Sequence, residues 1–263
     1  MGKRKGEIMM KIGLFVLTYN RLLFTKQCLK SIEWSKPNNS IIVIVDNNSD
    51  DGTKEFLKSY SSPLLKEVVF NDKNEGIGYA WNQAWNILKD ECDILAIIGN
   101  DFLFEPDWES NVLACFEDLG LDYLVGTVRP DLESKKKITS SGKGFCIAPS
   151  VGGSYFVLSD HFKNGIVPST KAFQKGYVGP SPGFFRKLKK LKGVRIGHPG
   201  ILVRDSEYTN PEYIKYYDET FSKRGRFHQL VARRHEESKG RPGGWTNWNK
   251  FCEKYYPEAD KNV

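Results

Sequence analysis

An unbroken apolar run, Ile94-Leu95-Ala96-Ile97-Ile98, passes into Gly99-Asn100-Asp101 before Phe102-Leu103-Phe104. A short run rich in β-branched residues and closed by a polar turn predicts a strand buried on both faces. In open α/β sheets ligands bind beyond the carboxyl ends of the strands. Asp101 therefore stands where a carboxylate holds a hard cation or faces the phosphates of a nucleotide. Asn and Asp are also ordinary turn formers, and the triplet alone is open to that plainer reading.

Three more polar loops follow apolar runs in the same manner. Thr18-Tyr19-Asn20-Arg21 leaves the run Lys11 to Leu17, and Asp46-Asn47-Asn48-Ser49-Asp50-Asp51-Gly52-Thr53 leaves Ile41 to Val45. One helix cap uses one short polar side chain, and the second loop holds more than a cap requires. The third, Asn71 to Asn82, contains Gly76-Ile77-Gly78, half of a dinucleotide fingerprint. That motif belongs after the first strand with an acid about 20 positions on, so a dehydrogenase is excluded and the glycines are read as points of close backbone approach. Gly152-Gly153-Ser154, inside the run Val151 to Leu158, is a second such point and a candidate acceptor contact.

The elements that carry these loops follow from periodicity. Strands are expected at Lys11–Leu17, Ile41–Val45, Glu67–Phe70, Tyr123–Val128, Val151–Leu158 and Gly193–Val203, besides the run at Ile94. Helices are expected from Leu22 to Ile32, ended by Lys36-Pro37, then over Lys54–Tyr60, Tyr79–Leu88, from Glu105-Pro106-Asp107-Trp108 to Leu119, and over Phe184–Leu191. Strands alternating with helices make βαβ units, and hence a mostly parallel sheet flanked by helices. Asp131 to Gly144 and Phe162 to Pro182 read as loops. Asn210-Pro211-Glu212 is a strong helix start, opening a segment that mixes Tyr, Phe and Trp with Lys and Arg. The expected division is a catalytic domain over 1–205 and a basic, aromatic, mainly helical extension over 206–263.

Composition narrows the class. A chain of 263 residues with 40% hydrophobic and 13% aromatic content buries a full core, which excludes a disordered protein. No apolar run reaches the roughly 20 residues of a membrane span, and the basic start lacks a signal peptide's apolar stretch, so a cytoplasmic location is expected. Five scattered cysteines without Cys-x-x-Cys spacing indicate neither a disulfide framework nor a zinc site. The net charge of +7 favours anionic partners: nucleotide phosphates, nucleic acid or an anionic membrane surface touched peripherally.

The order of motifs resembles the GT-A nucleotide-sugar glycosyltransferases, in particular the inverting enzymes of family 2. Four blocks carry the likeness over about residues 11 to 205: Phe15-Val16-Leu17-Thr18-Tyr19-Asn20-Arg21, Val45-Asp46 through Thr53, Asn74-Glu75-Gly76 through Asn82, and Gly99-Asn100-Asp101 with Phe104-Glu105-Pro106-Asp107-Trp108. The resemblance implies a GT-A fold and a nucleoside-diphosphate sugar, UDP-linked, as donor. It implies that Thr18, Tyr19 and Arg21 line the nucleotide pocket together with Asn74, Gly76 and Asn100, that Asp46 and Asn48 meet base and ribose, and that Asp101 is the metal-binding end of an Asp-x-Asp motif. A further metal position falls on Asp205, which otherwise reads as a turn residue beside Arg204. The expected cofactor is a divalent cation, Mn or Mg, bridging the leaving diphosphate.

Two departures from that family stand out. Gly99 occupies the first acidic place of Asp-x-Asp. The place that supplies the general base reads Gly179-Pro180-Ser181-Pro182-Gly183, with no carboxylate. His198 and Glu207 are weak substitutes for the base. The expected acceptor is a saccharide or a lipid-linked saccharide. Two alternatives stay open: glycosylation of a modified DNA base, with Arg224, Arg226, Arg233 and Arg234 on the polyanion, and a non-catalytic nucleotide-sugar-binding protein that lacks the base.

Overall fold

The computed structural model describes residues 10–119, 123–127, 137–138, 144–148, 155–163, 192–196, 201–202 and 248–260. In chain order they form β1 (Ile12–Thr18), α1 (Leu22–Trp34), β2 (Ser40–Asp46), α2 (Thr53–Ser59), β3 (Leu65–Phe70), α3 (Ile77–Leu88), β4 (Ile94–Gly99), β5 (Phe102–Leu103) and α4 (Trp108–Leu119). After these come β6 (Tyr123–Thr127), β7 (Lys137–Ile138), β8 (Gly144–Ala148), β9 (Tyr155–Leu158), α5 (Ser159–Lys163), β10 (Lys192–Ile196), β11 (Ile201–Leu202) and α6 (Trp248–Tyr255).

Nine strands make one sheet in the order β3-β2-β1-β4-β9-β6-β10-β8-β7, and β5 pairs with β11 in a separate two-stranded ribbon. The pairs β3-β2, β2-β1, β1-β4 and β6-β10 are parallel, while β9 and β8 run against their neighbours, so the sheet is mixed but mostly parallel. The first three strands step outward from β1, and the chain then crosses to the other side of β1 to place β4. Strand order thus reverses between β1 and β4, and the carboxyl ends of those two strands open the crevice in which such sheets bind ligands.

Alternation along each strand divides the core. Ile12, Leu14 and Val16 of β1 lie with Ile42, Ile44, Ile94, Ala96 and Ile98 on one face, where α1 contributes Cys28, Leu29 and Ile32 and α4 contributes Trp108, Val112 and Phe116. Phe15, Val43, Val45, Leu95 and Ile97 lie on the other, against Ala80, Trp81, Ala84, Trp85 and Leu88 of α3. Both faces are covered, which is why β1, β2 and β4 read as continuous apolar runs rather than alternating ones. The described cysteines, Cys28, Cys92, Cys115 and Cys252, are buried.

Three segments differ from expectation. The single strand expected over Gly193–Val203 is two, β10 in the main sheet and β11 in the ribbon, so the chain changes sheets between Ile196 and Ile201. The excursion from Asp131 contains β7, paired antiparallel with β8; neither strand was anticipated, since Lys137-Ile138 lies at the end of a lysine run and Phe145-Cys146-Ile147 is only three apolar residues long. Helix α5 occupies Ser159–Lys163, where a strand end passing into a loop was expected. The helices expected over Phe184–Leu191 and from Asn210 lie outside the described residues.

Helix α6 packs on the outside of α1. Trp248 stacks on Trp34 with ring centroids 5.2 Å apart, and Phe251 and Cys252 are fully buried with Phe24 and Leu103. The aromatics from Trp248 to Tyr256 are therefore a docking face. None of the described helices is long and apolar enough to cross a membrane.

Candidate functional site

The parallel register aligns the strand ends. Thr18 lies beside Asp46, Leu17 beside Gly99, and Asp46 beside Phe70, so the loops leaving β1, β2, β3 and β4 emerge along one edge. Thr18, Tyr19, Arg21, Asp46, Asn48, Asn74, Gly76, Asn100 and Asp101 are all brought to it. Asp205, His198, Glu207, Gly152, Gly153, Ser154 and the four arginines from Arg224 to Arg234 lie outside the described residues. Strand β11 nevertheless ends three positions before Asp205 and pairs with β5, whose first residue follows Asp101.

Asp46 is buried, and its carboxylate is occupied. Oδ1 accepts the Thr18 hydroxyl at 2.8 Å and the Ser49 hydroxyl at 2.5 Å, and Oδ2 accepts the Ser49 amide at 2.9 Å. A buried carboxylate with several donors is a stable arrangement, because each donor offsets part of its desolvation. Asp46 thereby ties the end of β1 to the loop that leaves β2. Asn48, in the left-handed region at φ 65, turns its side-chain carbonyl to Lys54 Nζ at 3.0 Å.

Asp51, which the family likeness does not single out, joins two helices. Its Oδ2 accepts the amide of Leu22, the first residue of α1, at 2.9 Å, and its Oδ1 accepts the amide and hydroxyl of Thr53, the first residue of α2, at 3.1 and 2.6 Å. Both helices lack a side-chain cap of their own from the preceding residue, and Asp51 supplies negative charge at both N-termini. The sequence signal for it was present: the loop held more short polar side chains than one cap needs.

Asn20 and Arg21 are consecutive residues in the left-handed region, at φ 57 and 67. For residues other than glycine that conformation costs on the order of 1 to 3 kcal/mol each, and it persists only where surrounding bonds hold it. The holding bonds are visible. The Asn20 side chain donates to Asp50 and accepts the Asp50 amide, the Asn20 amide donates to Ser49 Oγ at 2.7 Å, and the Asn20 carbonyl accepts from Asn100 Nδ2 at 3.1 Å.

The result is to lay the Arg21 side chain across the ends of β1 and β4. Its Nη2 donates to Asn100 Oδ1 at 2.7 Å, and its Nη1 lies 3.8 Å from Asp101 Oδ2. Asn100 is buried, with its amide nitrogen also donating to Thr25 Oγ1 at 2.9 Å, so its whole side chain is committed to chain partners. The Asp101 carboxylate reaches solvent, as does the guanidinium, at 14% and 22% side-chain exposure. Gly99 makes room for it: a Cβ on residue 99 would lie 2.4 Å from Asp101 Oδ1. Beneath, Cys28 Sγ lies 3.9 Å from the Gly99 carbonyl, and burial, with the Asp101 charge adding to it, pushes the thiol well above its ordinary range, so it is not a nucleophile.

On the far wall, Asn71 and Gln83 exchange amide bonds at 2.9 and 3.0 Å, and Asn71 also donates to Asn47 Oδ1 at 2.8 Å. Asn74 Oδ1 accepts the amide of Gly76, whose φ of 83 turns the chain into α3. Tyr19 and Tyr79, the large hydrophobic residues exposed among those described, belong to the loop after β1 and the first turn of α3. They give the edge two aromatic faces.

The donor set fits a hard divalent cation in part. Asp101 offers carboxylate oxygens at a strand exit, and among the described residues the cation paired with it, Arg21, stands farther off than the 2.7 to 2.9 Å typical of a tight charge-assisted bond. Among the described residues no cluster of three acidic, His or Cys side chains is present. One carboxylate with the oxygens of a bound diphosphate is the usual way Mg is held, so the site suits a cation that arrives with its substrate.

Comparison with known proteins agrees with this architecture. A putative glycosyltransferase of Bacillus subtilis (strain 168), EpsH, is 26% identical over 124 residues, 41% of this chain and 36% of the relative. The structure is similar to that of S. aureus TarS 1-349 (TM-score 0.56, 15% identity, 73% of this chain and 60% of that chain) and of GalNAc-T7 with UDP, GalNAc and Mn2+ (TM-score 0.56, 14% identity, 73% and 44%). It is also similar to the mannosyltransferase PcManGT from Pyrobaculum calidifontis in complex with GDP-Man and Mn2+ (TM-score 0.50, 18% identity, 61% and 48%). The chain thus spans about half the length of the proteins it matches, and these likenesses establish the GT-A fold. The model of the glycosyl transferase family 2 matches residues 14–174, more than half of the chain, and the protein belongs to that family.

Proposed function

We propose that this protein transfers a sugar from a nucleoside-diphosphate donor, UDP-linked, to an acceptor hydroxyl on a saccharide or lipid-linked saccharide. The observation that carries the reading is the solvent-reaching Asp101 carboxylate beside the Arg21 guanidinium at the reversal of strand order between β1 and β4. In the reaction the bond from the anomeric carbon to the diphosphate oxygen breaks and a bond to the acceptor oxygen forms, with inversion in a single displacement. The acceptor proton passes to a base, for which His198 and Glu207 are the candidates. The leaving diphosphate carries concentrated negative charge. Among the described residues, Arg21 and the positive N-terminal end of α3 lie along that edge and favour it.

A divalent cation held by Asp101, with Asp205 as second ligand, would supply further charge neutralisation. The pairing of β11 with β5 supports Asp205 in that role, since it brings the strand preceding Asp205 beside the strand following Asp101. Tyr19 supports the nucleotide assignment as an exposed ring at the mouth of the site. The test is release of UDP or GDP from a panel of nucleotide sugars, with Mn2+ and with EDTA, followed by mass spectrometry of candidate acceptors. Metal-dependent release from at least one donor is expected. Binding of no nucleotide sugar under either condition would rule the reading out.

A further inference from the structure

Asn100, the residue after β4, has both amide hydrogens committed inside the chain. Its Oδ1 accepts from Arg21 Nη2 at 2.7 Å, and its Nδ2 donates to the Asn20 carbonyl at 3.1 Å and to Thr25 Oγ1 at 2.9 Å. The partners dictate which way the amide faces, since a guanidinium only donates and a backbone carbonyl only accepts. An aspartate of the same shape would still accept from Arg21 but would set an oxygen against the Asn20 carbonyl, so this place in the turn calls for a neutral amide. At 1% exposure the residue offers a ligand no open donor.

All three partners belong to the turn that joins β1 to α1. Asn20 and Arg21 are its left-handed residues, at φ 57 and 67, and Thr25 lies in the first turn of α1, its amide donating to the Arg21 carbonyl at 3.1 Å. On the reading of this edge as a nucleotide-sugar site, we infer that Asn100 is a positioning residue: it does not touch the donor but sets where the Arg21 guanidinium stands beside the diphosphate. Two of its bonds bear on Arg21 from opposite ends. One holds the tip of the side chain, and the other holds the carbonyl of the peptide unit that leads into Arg21, so backbone and guanidinium are fixed by the same amide. A cation already in place stabilises a leaving diphosphate without reorganising as charge develops. Arg21 keeps all its contacts in this role.

A double-mutant cycle separates positioning from general support. The full chain as wild type, Asn100→Ala, Arg21→Gly and the double variant is titrated calorimetrically with UDP and with GDP, in EDTA and with Mn2+, and each is melted. Glycine accepts the φ of 67 at residue 21 without strain. Each single variant is expected to weaken nucleotide by about tenfold, and the double variant by no more than about twofold beyond Arg21→Gly, a coupling within the range for residues of one hydrogen-bond network. Thr25→Val, which withdraws one partner and leaves Asn100 in place, serves should Asn100→Ala fail to fold; about threefold weakening is expected in wild type and none over Arg21→Gly. Unchanged nucleotide affinity with a lowered melting temperature would make Asn100 a structural link and overturn the inference. Equal weakening in both backgrounds would also overturn it, since Asn100 would then act without Arg21. Either result leaves the donor site standing, whereas wild type that binds neither UDP nor GDP, with or without Mn2+, would overturn both.

Discussion

The phenolic hydroxyl of Tyr256 donates to the carbonyl of Phe104 at 2.7 Å, bonding the segment after α6 to backbone three residues beyond Asp101. The neighbouring Tyr255 hydroxyl donates to Glu105 Oε1 at 2.6 Å. Tyr256→Phe is expected to lower stability by about 1 kcal/mol, the net worth of one such bond, and Trp248→Ala by about 3 to 5 kcal/mol through loss of a buried ring. Urea unfolding measures both, and a neutral Trp248→Ala would show that α6 is not docked as described.

Asp101→Ala is expected to abolish coupled binding of Mn2+ and nucleotide while leaving the fold intact. The carboxylate reaches solvent and holds no backbone amide in the described bonds, so its removal strands no buried donor. Calorimetry together with a thermal melt separates the two effects. Parent-like binding of the metal and nucleotide together would disprove the assignment.

Asp46→Ala should behave differently. Three donors, from Thr18 and Ser49, lose their acceptor in a buried setting, and each group left unpaired costs on the order of 1 to 3 kcal/mol. The variant is expected to lose several kcal/mol of stability as well as nucleotide affinity. A loss of affinity with an unchanged unfolding midpoint would mean that Asp46 meets the base directly and does little for the frame.

Gly99→Ala tests the space above the strand end. The methyl group displaces the Asp101 carboxylate, which rotates at small cost because it is the free end of a side chain. The expected result is a melting temperature within about 2 °C of the parent, since little packing is lost, and a changed Mn2+ affinity. A large loss of stability would mean that the carboxylate is locked in place.

Glu91 gives a pH prediction away from the site. It accepts from Lys11 Nζ at 2.5 Å and from Lys66 Nζ, and the bonds to Lys11 and then Lys66 hold its carboxyl down at about 2, from an ordinary 4.5. A carboxyl depressed in the folded state contributes stability that is fully present above 4.5 and is lost as pH falls from 4.5 towards 2. Glu91→Gln should therefore flatten the acid limb of the stability profile in that window. The group is exposed, so the effect should be small and should shrink in salt. An acid limb identical to the parent's would remove the ion pairs as its cause.

The frame of the fold was legible because its signals are local. The apolar runs at Ile12, Ser40 and Ile94 needed only their period and their closing polar loops to be placed in a parallel sheet. What could not be read was whether a polar side chain at a strand end faces inward or outward. Asp46 and Asp101 both follow apolar strands, yet one is sealed beneath Ser49 and the other reaches solvent. That difference rests on pairings between residues about 30 and 80 positions apart, such as Asn20 with Asp50 and Arg21 with Asn100, which no window of sequence contains. The change of sheet between β10 and β11 was hidden for the same reason, since β11's partner is β5.

Tyr256 follows its partner Phe104 by 152 residues. At synthesis rates of about 5 to 20 residues per second, that interval corresponds to roughly 8 to 30 s between the appearance of the acidic turn and of the segment that braces it. Strands β1 to β4 are all available during this time, but Trp34 and Phe24 have no cover from Trp248 and Phe251. A nascent chain stopped within that window would carry a paired parallel sheet and an uncovered aromatic face on α1. On the ribosome, that face is where a chaperone would find its first hold.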